Sequence, residues 1–137
     1  MLLASNISFF SKIFARTGKV DSIMEFGCNI GMNLKAIRTL LPESNLSGVE
    51  INKRAVDDLN EWKGGANVIE GSILDIELDT RFDLTLIKGV LIHINPERLD
   101  DVYTRLYNFS DKYICIAEYY NPTPVTISYR GHDNRLF

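Results

Sequence analysis

Glu25, Gly27, Asn29, Gly31 and Glu50 have the types and the spacing to hold a charged small molecule. The run Ile23-Met24-Glu25-Phe26-Gly27-Cys28-Asn29-Ile30-Gly31-Met32-Asn33 is a short apolar stretch that ends at a carboxylate, turns through glycines and passes into a helix-forming segment. Glycine at 27 and 31 permits a tight turn and a close approach of ligand to backbone. Asn29 stands where many nucleotide folds carry a middle glycine. Asparagine tolerates left-handed backbone angles better than other side chains, so the turn survives the exchange. A glycine turn alone also serves as a plain strand-to-helix connection. Glu50 adds to it: about 20 residues on, at the end of the next apolar run, an acid can accept both ribose hydroxyls. By itself Glu50 would read as a solvated strand end beside Lys53. Turn and acid together favour an adenosine-type ligand.

Glu25 then separates the candidate ligands. A dinucleotide sets a dianionic pyrophosphate on the helix N-terminus, where a carboxylate repels it. An ammonium group is attracted to the same place, which points to the methionine moiety of S-adenosylmethionine and away from a nicotinamide dinucleotide. The competing role for Glu25 is a helix-dipole interaction. Gly71-Ser72-Ile73 could grip an adenine through backbone amide, hydroxyl and apolar side chain, although glycine-serine turns are common. In Lys88-Gly89-Val90-Leu91-Ile92-His93, Gly89 allows close passage of the methionine chain. His93 could face a substrate or sit as a satisfied, partly buried residue. The expected cofactor set is Glu25, Gly27, Cys28, Asn29, Gly31, Asn33, Glu50, Ile51, Ser72, Ile73, Lys88 and Gly89, with no metal ligands. The expected substrate-side residues are His93, Tyr119, Tyr120 and His132, joined by Glu118, Asn121, Tyr129 and Arg130 in the same tail. Alternatively Val125, Ile127 and Tyr129 alternate as a short edge strand.

These groups must be held by a small frame. The chain has 137 residues, 45% hydrophobic and 24% charged, which suits one domain with one core. A net charge of -3 argues against a broad nucleic-acid surface. No segment approaches the ~20 apolar residues of a membrane span. Residues 1–16 lack the cationic start and small-residue cleavage site of a signal peptide. Leu3, Ile7, Phe10 and Phe14 recur at helical spacing and predict a docked amphipathic helix. The two cysteines, Cys28 and Cys115, fall in the glycine turn and in an expected buried strand. That is a poor disulfide arrangement and points to a reduced, cytoplasmic protein.

Strand and helix alternate along the chain. Strands are expected at Val20–Phe26, Leu46–Glu50, Ala66–Glu70, Phe82–Ile87 and Tyr113–Glu118. Helices are expected at Asn33–Leu41, stopped by Pro42, and at Lys53–Trp62, stopped by Gly64 and Gly65. Another opens at Asn95-Pro96, with Leu99, Val102, Tyr103 and Leu106 as its buried face. Such alternation implies an α/β fold with a parallel sheet covered on both faces, whose ligand lies beyond the carboxyl ends of the strands.

With these segments assembled, the chain resembles class I S-adenosylmethionine-dependent methyltransferases over almost its full length. More narrowly, Lys88-Gly89-Val90-Leu91-Ile92-His93-Ile94-Asn95-Pro96 and Ala117-Glu118-Tyr119-Tyr120-Asn121-Pro122-Thr123-Pro124, running on to Tyr129-Arg130-Gly131-His132, resemble the pseudaminic acid biosynthesis-associated methylases. The resemblance implies a Rossmann-like three-layer sandwich with sheet order 3-2-1-4-5. The class resemblance also implies a cofactor site at Glu25, Gly27, Gly31, Glu50, Ser72 and Lys88; the narrower one implies only an association with a nine-carbon acidic sugar pathway, beside which the expected acceptor is a small polar molecule such as an acidic sugar or its nucleotide-activated form. Asn121-Pro122-Thr123-Pro124 is superficially similar to the Asn-Pro-Pro-aromatic motif of amino methyltransferases. Here it follows the fifth strand instead of the fourth, which argues against nucleic-acid methylation. Class I enzymes usually continue beyond the fifth strand with a helix and an antiparallel pair, so a chain of this length is expected to lack that pair and to leave a sheet edge exposed. Two rivals stand beside this expectation: a nicotinamide-dependent oxidoreductase, and a non-catalytic S-adenosylmethionine- or nucleoside-binding module.

Overall fold

The computed structural model describes the backbone of residues 2–118, 126–129 and 132–136, and the side chains of residues 3–118. Helix α1 (Leu2–Thr17) is followed by β1 (Ser22–Phe26), α2 (Met32–Leu40), β2 (Asn45–Glu50), α3 (Lys53–Glu61), β3 (Asn67–Glu70) and β4 (Phe82–Lys88). Two 3-10 turns, Leu91–His93 and Pro96–Arg98, lead into α4 (Leu99–Asn108), then β5 (Ser110–Ala117), β6 (Thr126–Tyr129) and β7 (His132–Leu136). The first five strands form one parallel sheet in the order β3-β2-β1-β4-β5. This is the α/β architecture expected from the sequence.

Side-chain alternation along β1 sorts its residues between two layers. Ile23 joins Leu84, Leu86, Leu46 and Val68 against Phe10 of α1, Leu34 and Ile37 of α2 and Val56 and Leu59 of α3. Met24 and Phe26 join Val49, Ile87, Val102 and Leu106 on the α4 side. Glu25 lies on the same face as Ile23 and so points toward α1 and α2. Helix α1 docks through most of its predicted stripe: Phe10 is fully buried, stacks on Phe14 and meets Phe9 edge-on, and Ile7 packs partly buried, whereas Leu3 at the helix start is exposed. Among the described residues no helix is long and apolar enough to cross a membrane.

Several expectations change. Asn95 does cap, accepting from the Glu97 amide at 3.0 Å, but it opens a 3-10 turn and the α-helix begins only at Leu99. In α4, Val102 and Leu106 are buried, whereas Tyr103 is 42% exposed because it faces away from the sheet. Cys115 is only half-buried, since β5 pairs with β4 alone and is an edge strand rather than a buried one. Ile114 and Ile116 are exposed on that edge, as expected for a sheet that ends there. An antiparallel pair does form from β6 and β7, but as a separate two-stranded sheet that does not extend the parallel one.

Arg38 ties the N-terminal half together. Its Nε donates to the Gly64 carbonyl at 2.7 Å, Nη1 to those of Leu41, Pro42 and Ser44 at 3.2, 3.0 and 2.7 Å, and Nη2 to that of Gly65 at 2.7 Å. One planar cation thereby holds the end of α2, the start of β2 and the turn before β3. Arg38→Met keeps the stem and leaves those carbonyls without their donor, so we expect a loss of roughly 2–4 kcal/mol of unfolding free energy in urea titrations. A loss below 0.5 kcal/mol would remove this anchoring role.

Candidate functional site

The site is built where the strand order reverses between β1 and β4. After β1 the backbone takes positive φ at Gly27 (77°), Asn29 (50°) and Gly31 (85°). The Gly27 and Cys28 amides both donate to the Val49 carbonyl, at 2.8 and 3.1 Å, which locks the turn onto β2. Asn29 adopts the left-handed conformation foreseen for it. The glycines, however, are explained by the protein itself. A Cβ at Gly31 would stand 2.3 Å from Leu59 Cδ2, and one at Gly27 would stand 2.8 Å from Val90 Cγ2. Their lack of a side chain admits α3 and the β4 loop. Gly89 differs: at φ 68° a Cβ there would meet none of the described residues within 4 Å, which leave room for another molecule.

A cleft of ≈ 790 Å³ opens over the carboxyl ends of β1 to β4, within the size range of small-molecule sites. Of the expected cofactor residues, Gly27, Cys28, Asn29, Asn33, Glu50, Ile51, Ser72, Ile73, Lys88 and Gly89 line it, and His93 does as well. Glu25 and Gly31 sit behind that lining. Tyr119 and Tyr120 lie outside the described residues, as does the side chain of His132, whose backbone begins β7. Other lining residues stand outside the expected cofactor and substrate sets, among them Asn6, Met32, Val49 and Ile94. Asn6 left a signal in the sequence, because it is a polar residue on the apolar stripe of α1, three residues after Leu3 and four before Phe10.

Glu50 is 9% exposed, and both its oxygens are engaged. Oε1 accepts from the Asn29 amide at 2.8 Å and Oε2 from the Asn52 amide at 2.9 Å. Each oxygen keeps a second acceptor site, which leaves capacity for hydroxyl donors in the cleft. The Asn52 side chain in turn caps α3, accepting from the amides of Arg54 and Ala55. Ile51 is 73% and Ile30 58% exposed at the rim, while Ile73 is buried; these side chains offer apolar walls to a flat ring. The Ser72 hydroxyl accepts from the Leu74 amide at 3.2 Å and so shapes its own turn.

Glu25 is fully buried. Its Oε2 accepts from Asn33 Nδ2 at 2.6 Å, and its Oε1 is buried without a hydrogen-bond partner among the described residues. Burial lifts the carboxyl to about 8, partly offset by the Asn33 hydrogen bond and by the positive charge of Lys88. An acceptor buried just behind the cleft wall, desolvated and without a described partner, invites a cationic or donor group. Cys28 is of another kind. Its thiol fills the space above Gly48 beside Leu34, and burial, together with the charges of Glu25 and Glu50, pushes it up to about 12. That thiol is inert at neutral pH. Glu118, expected on the substrate side, clamps the loop after β4: its Oε1 accepts from the Val90 and Leu91 amides, both at 2.9 Å, and its Oε2 is buried with no hydrogen-bond partner among the described residues. It thereby fixes the turn that carries His93.

The same fold occurs in solved methyltransferase structures. No family model and no curated protein matches the chain. A plantazolicin methyltransferase, BpumL, in complex with SAH and a monoazolic desmethylPZN analog, is similar at 24% identity and a TM-score of 0.71, over 83% of this chain and 45% of that one. CalS10, an amino pentose methyltransferase from Micromonospora echinaspora with SAM bound, gives 12% identity and a TM-score of 0.75 over 96% and 60%. KedS8, a sugar N-methyltransferase from Streptoalloteichus, gives 14% and 0.74 over 94% and 57%. The chain thus spans roughly half the length of these enzymes and shares their Rossmann-like fold.

The buried carboxyl sets a pH dependence. Glu25 stands at about 8 in the folded chain against an ordinary 4.5, so the folded chain keeps a proton that the unfolded chain releases between those values. The stability this confers is complete below the lower value and is lost as pH rises through the higher one. Glu25→Gln keeps a neutral hydrogen-bonding group and does not ionise. Thermal melts of Glu25→Gln from pH 5 to 9 should therefore fall less with rising pH than those of the parent. Parallel profiles would show that Glu25 does not hold this proton.

Proposed function

We propose that residues 1–137 form the S-adenosylmethionine-binding domain of a methyltransferase that acts on a small polar acceptor. The observation that carries this reading is the Oε1 of Glu25, near the carboxyl end of β1, which is buried with no hydrogen-bond partner among the described residues. A cationic ammonium there relieves both the missing hydrogen bond and the desolvated carboxyl. A pyrophosphate relieves neither, which disfavours a nicotinamide cofactor. The class resemblance and the shared fold with sugar and peptide methyltransferases support the same reading.

In this arrangement Glu25 and Asn33 would hold the amino-acid end of the cofactor, Glu50 would accept the ribose hydroxyls, and Ile51, Ser72 and Ile73 would enclose the adenine. Gly89 would leave room for the chain that joins them. The cofactor supplies an electrophilic methyl on a sulfonium. The protein's own part is to align an acceptor oxygen or nitrogen with that methyl and to keep water out. His93, which Glu118 positions through the loop, is the acceptor-side candidate within the described residues; Tyr119, Tyr120 and His132 are the others. The substrate class we infer is an acidic sugar or its nucleotide-activated form, from the acidic-sugar pathway with which the narrower family is associated.

Titration calorimetry tests the cofactor reading. At pH 7 SAH should bind and NAD should not, with up to about one proton released as the ammonium ionises Glu25. Repeating the titration in buffers of different ionisation enthalpy counts that proton. Binding of NAD in preference to SAH would overturn the proposal. Transfer is tested separately, with radiolabelled S-adenosylmethionine and a panel of acidic and amino sugars. There His93→Gln should lower turnover about 10²-fold while SAH affinity stays within twofold. An unchanged rate would remove His93 from the acceptor side. SAH binding without transfer to any acceptor would favour a nucleoside-binding module.

A further inference from the structure

The open edge of the parallel sheet takes no part in the cofactor cleft. There β5 pairs with β4 on one side only. The Ala117 carbonyl accepts from the Gly89 amide and so turns toward β4. Backbone groups alternate sides along a regular strand, so Ile114 and Ile116 turn their N–H and C=O groups out to the open edge. Register with β4 assigns the side chains: Ile114 and Ile116 stand beside Thr85 and Ile87 on the α4 face, 41% and 49% exposed. On α4, Asp101 and Arg105 face the linker at Leu74 and Glu77. Tyr103 and Tyr107 lie about 200° further round the helix. They therefore flank the open edge, and Tyr107 is 70% exposed. With Tyr113, these residues make up most of the exposed large hydrophobic side chains among the described residues, so the apolar surface is concentrated at one edge.

An unpaired edge of this kind is a template for another strand. The strand that fits carries apolar side chains on both faces, and β5 itself does so, with Ile114 and Ile116 on one and Tyr113 and Cys115 on the other. The far edge strand, β3, has only four residues and ends in Glu70. We propose that β5 is a homodimerisation edge, at which two copies of the chain pair antiparallel about a two-fold axis at Cys115 and join their sheets into one. The register follows from overlap and charge. The irregularity between β4 and β5 lies before Tyr113, so Tyr113 to Ala117 is the regular stretch, and an axis at Cys115 overlaps all of it. Ile114 then exchanges both backbone bonds with the partner's Ile116, and Tyr113 lies beside the partner's Ala117, bulky against small. Arg81 already neutralises Asp111, at 3.2 Å, and the same axis brings Lys112 opposite the partner's Glu118, a pairing of opposite charge. An axis at Lys112 would set like charges face to face. The four side chains on the α4 face leave on the order of 400 Å² of apolar surface per copy. Twice that area, with the strand ladder, stands at the small end of specific interfaces and gives a weak, reversible dimer. The contact is isologous, so it closes at two copies. This inference does not depend on the cofactor reading.

Sedimentation equilibrium tests the association, and cross-linking tests the register. Over about 5 to 500 µM the mean mass should rise from that of one chain toward that of two and stop there. Ile114→Lys sets a charge against the partner's Ile116 and should weaken association at least about tenfold, with the circular dichroism of the parent. At the axis the two Cys115 residues form a non-hydrogen-bonded pair with Cα atoms about 4.5 Å apart, within disulfide reach. Copper-phenanthroline in air should therefore link the parent into a covalent dimer. Cys28→Ser should keep that link, and Cys115→Ser should lose it while still sedimenting as a reversible dimer. A parent that remains a single chain throughout, assembly that grows beyond two copies, or a dimer that does not cross-link through Cys115 would each overturn the proposal. So would a folded Ile114→Lys that associates like the parent; if that variant misfolds, the Cys115 link decides.

Discussion

The site depends on one carboxylate placed between two strand ends. Glu50 accepts the Asn29 amide on one oxygen and the Asn52 amide on the other, so the turn after β1 and the turn after β2 are set by a single side chain. These are charge-assisted bonds in a largely buried position, stronger than neutral ones. They act together with the Val49 carbonyl, which receives both the Gly27 and Cys28 amides. Leu59 of α3 then packs where Gly31 has no side chain. Any change that moves β2 along β1 would shift every one of these contacts, so the parallel register of β1 and β2 and the shape of the cleft floor are a single constraint.

A second feature opposes stability. Glu25 occupies a core-facing position on a central strand, where Ile23 two residues earlier is an ordinary apolar residue. Asn33 satisfies one carboxyl oxygen and leaves the other unpaired. A fold selected only for stability would place an aliphatic residue there, because an unsatisfied buried acceptor costs about 1–3 kcal/mol. A strained or unsatisfied group retained at a cleft is the familiar trade of stability against function. The polar groups converge on the cleft and leave the two apolar layers on either side of the sheet intact.

Much of this was legible in the chain. The strand and helix alternation, the left-handed Asn29 and the docking of α1 follow from local periodicity and turn chemistry, which depend on residues close in sequence. What was missed depended on contacts across the fold. Tyr103 has the spacing of a buried helix face, but the helix turns it outward. Cys115 sits in an apolar run that looks buried, yet β5 has a neighbour on one side only. Glu118 clamps the β4 loop, a pairing with amides 27 and 28 residues away that no local pattern announces. Asn6 carried a faint signal, a polar interruption of an apolar stripe, whose meaning required knowing that α1 passes over the cleft.

The sequence by itself therefore determined the α/β architecture, the turn that begins the site and the acidic positions at 25 and 50, because patterning and backbone preference are local properties. Only the tertiary structure decided what the glycines and carboxylates are for. It assigned Gly27 and Gly31 to packing against Val90 and Leu59, made Glu50 a bridge between two turns, and left Glu25 with one oxygen unpaired. Those outcomes depend on which atoms meet across the sheet, and on how completely water is excluded between them. Neither is encoded at any one position along the chain.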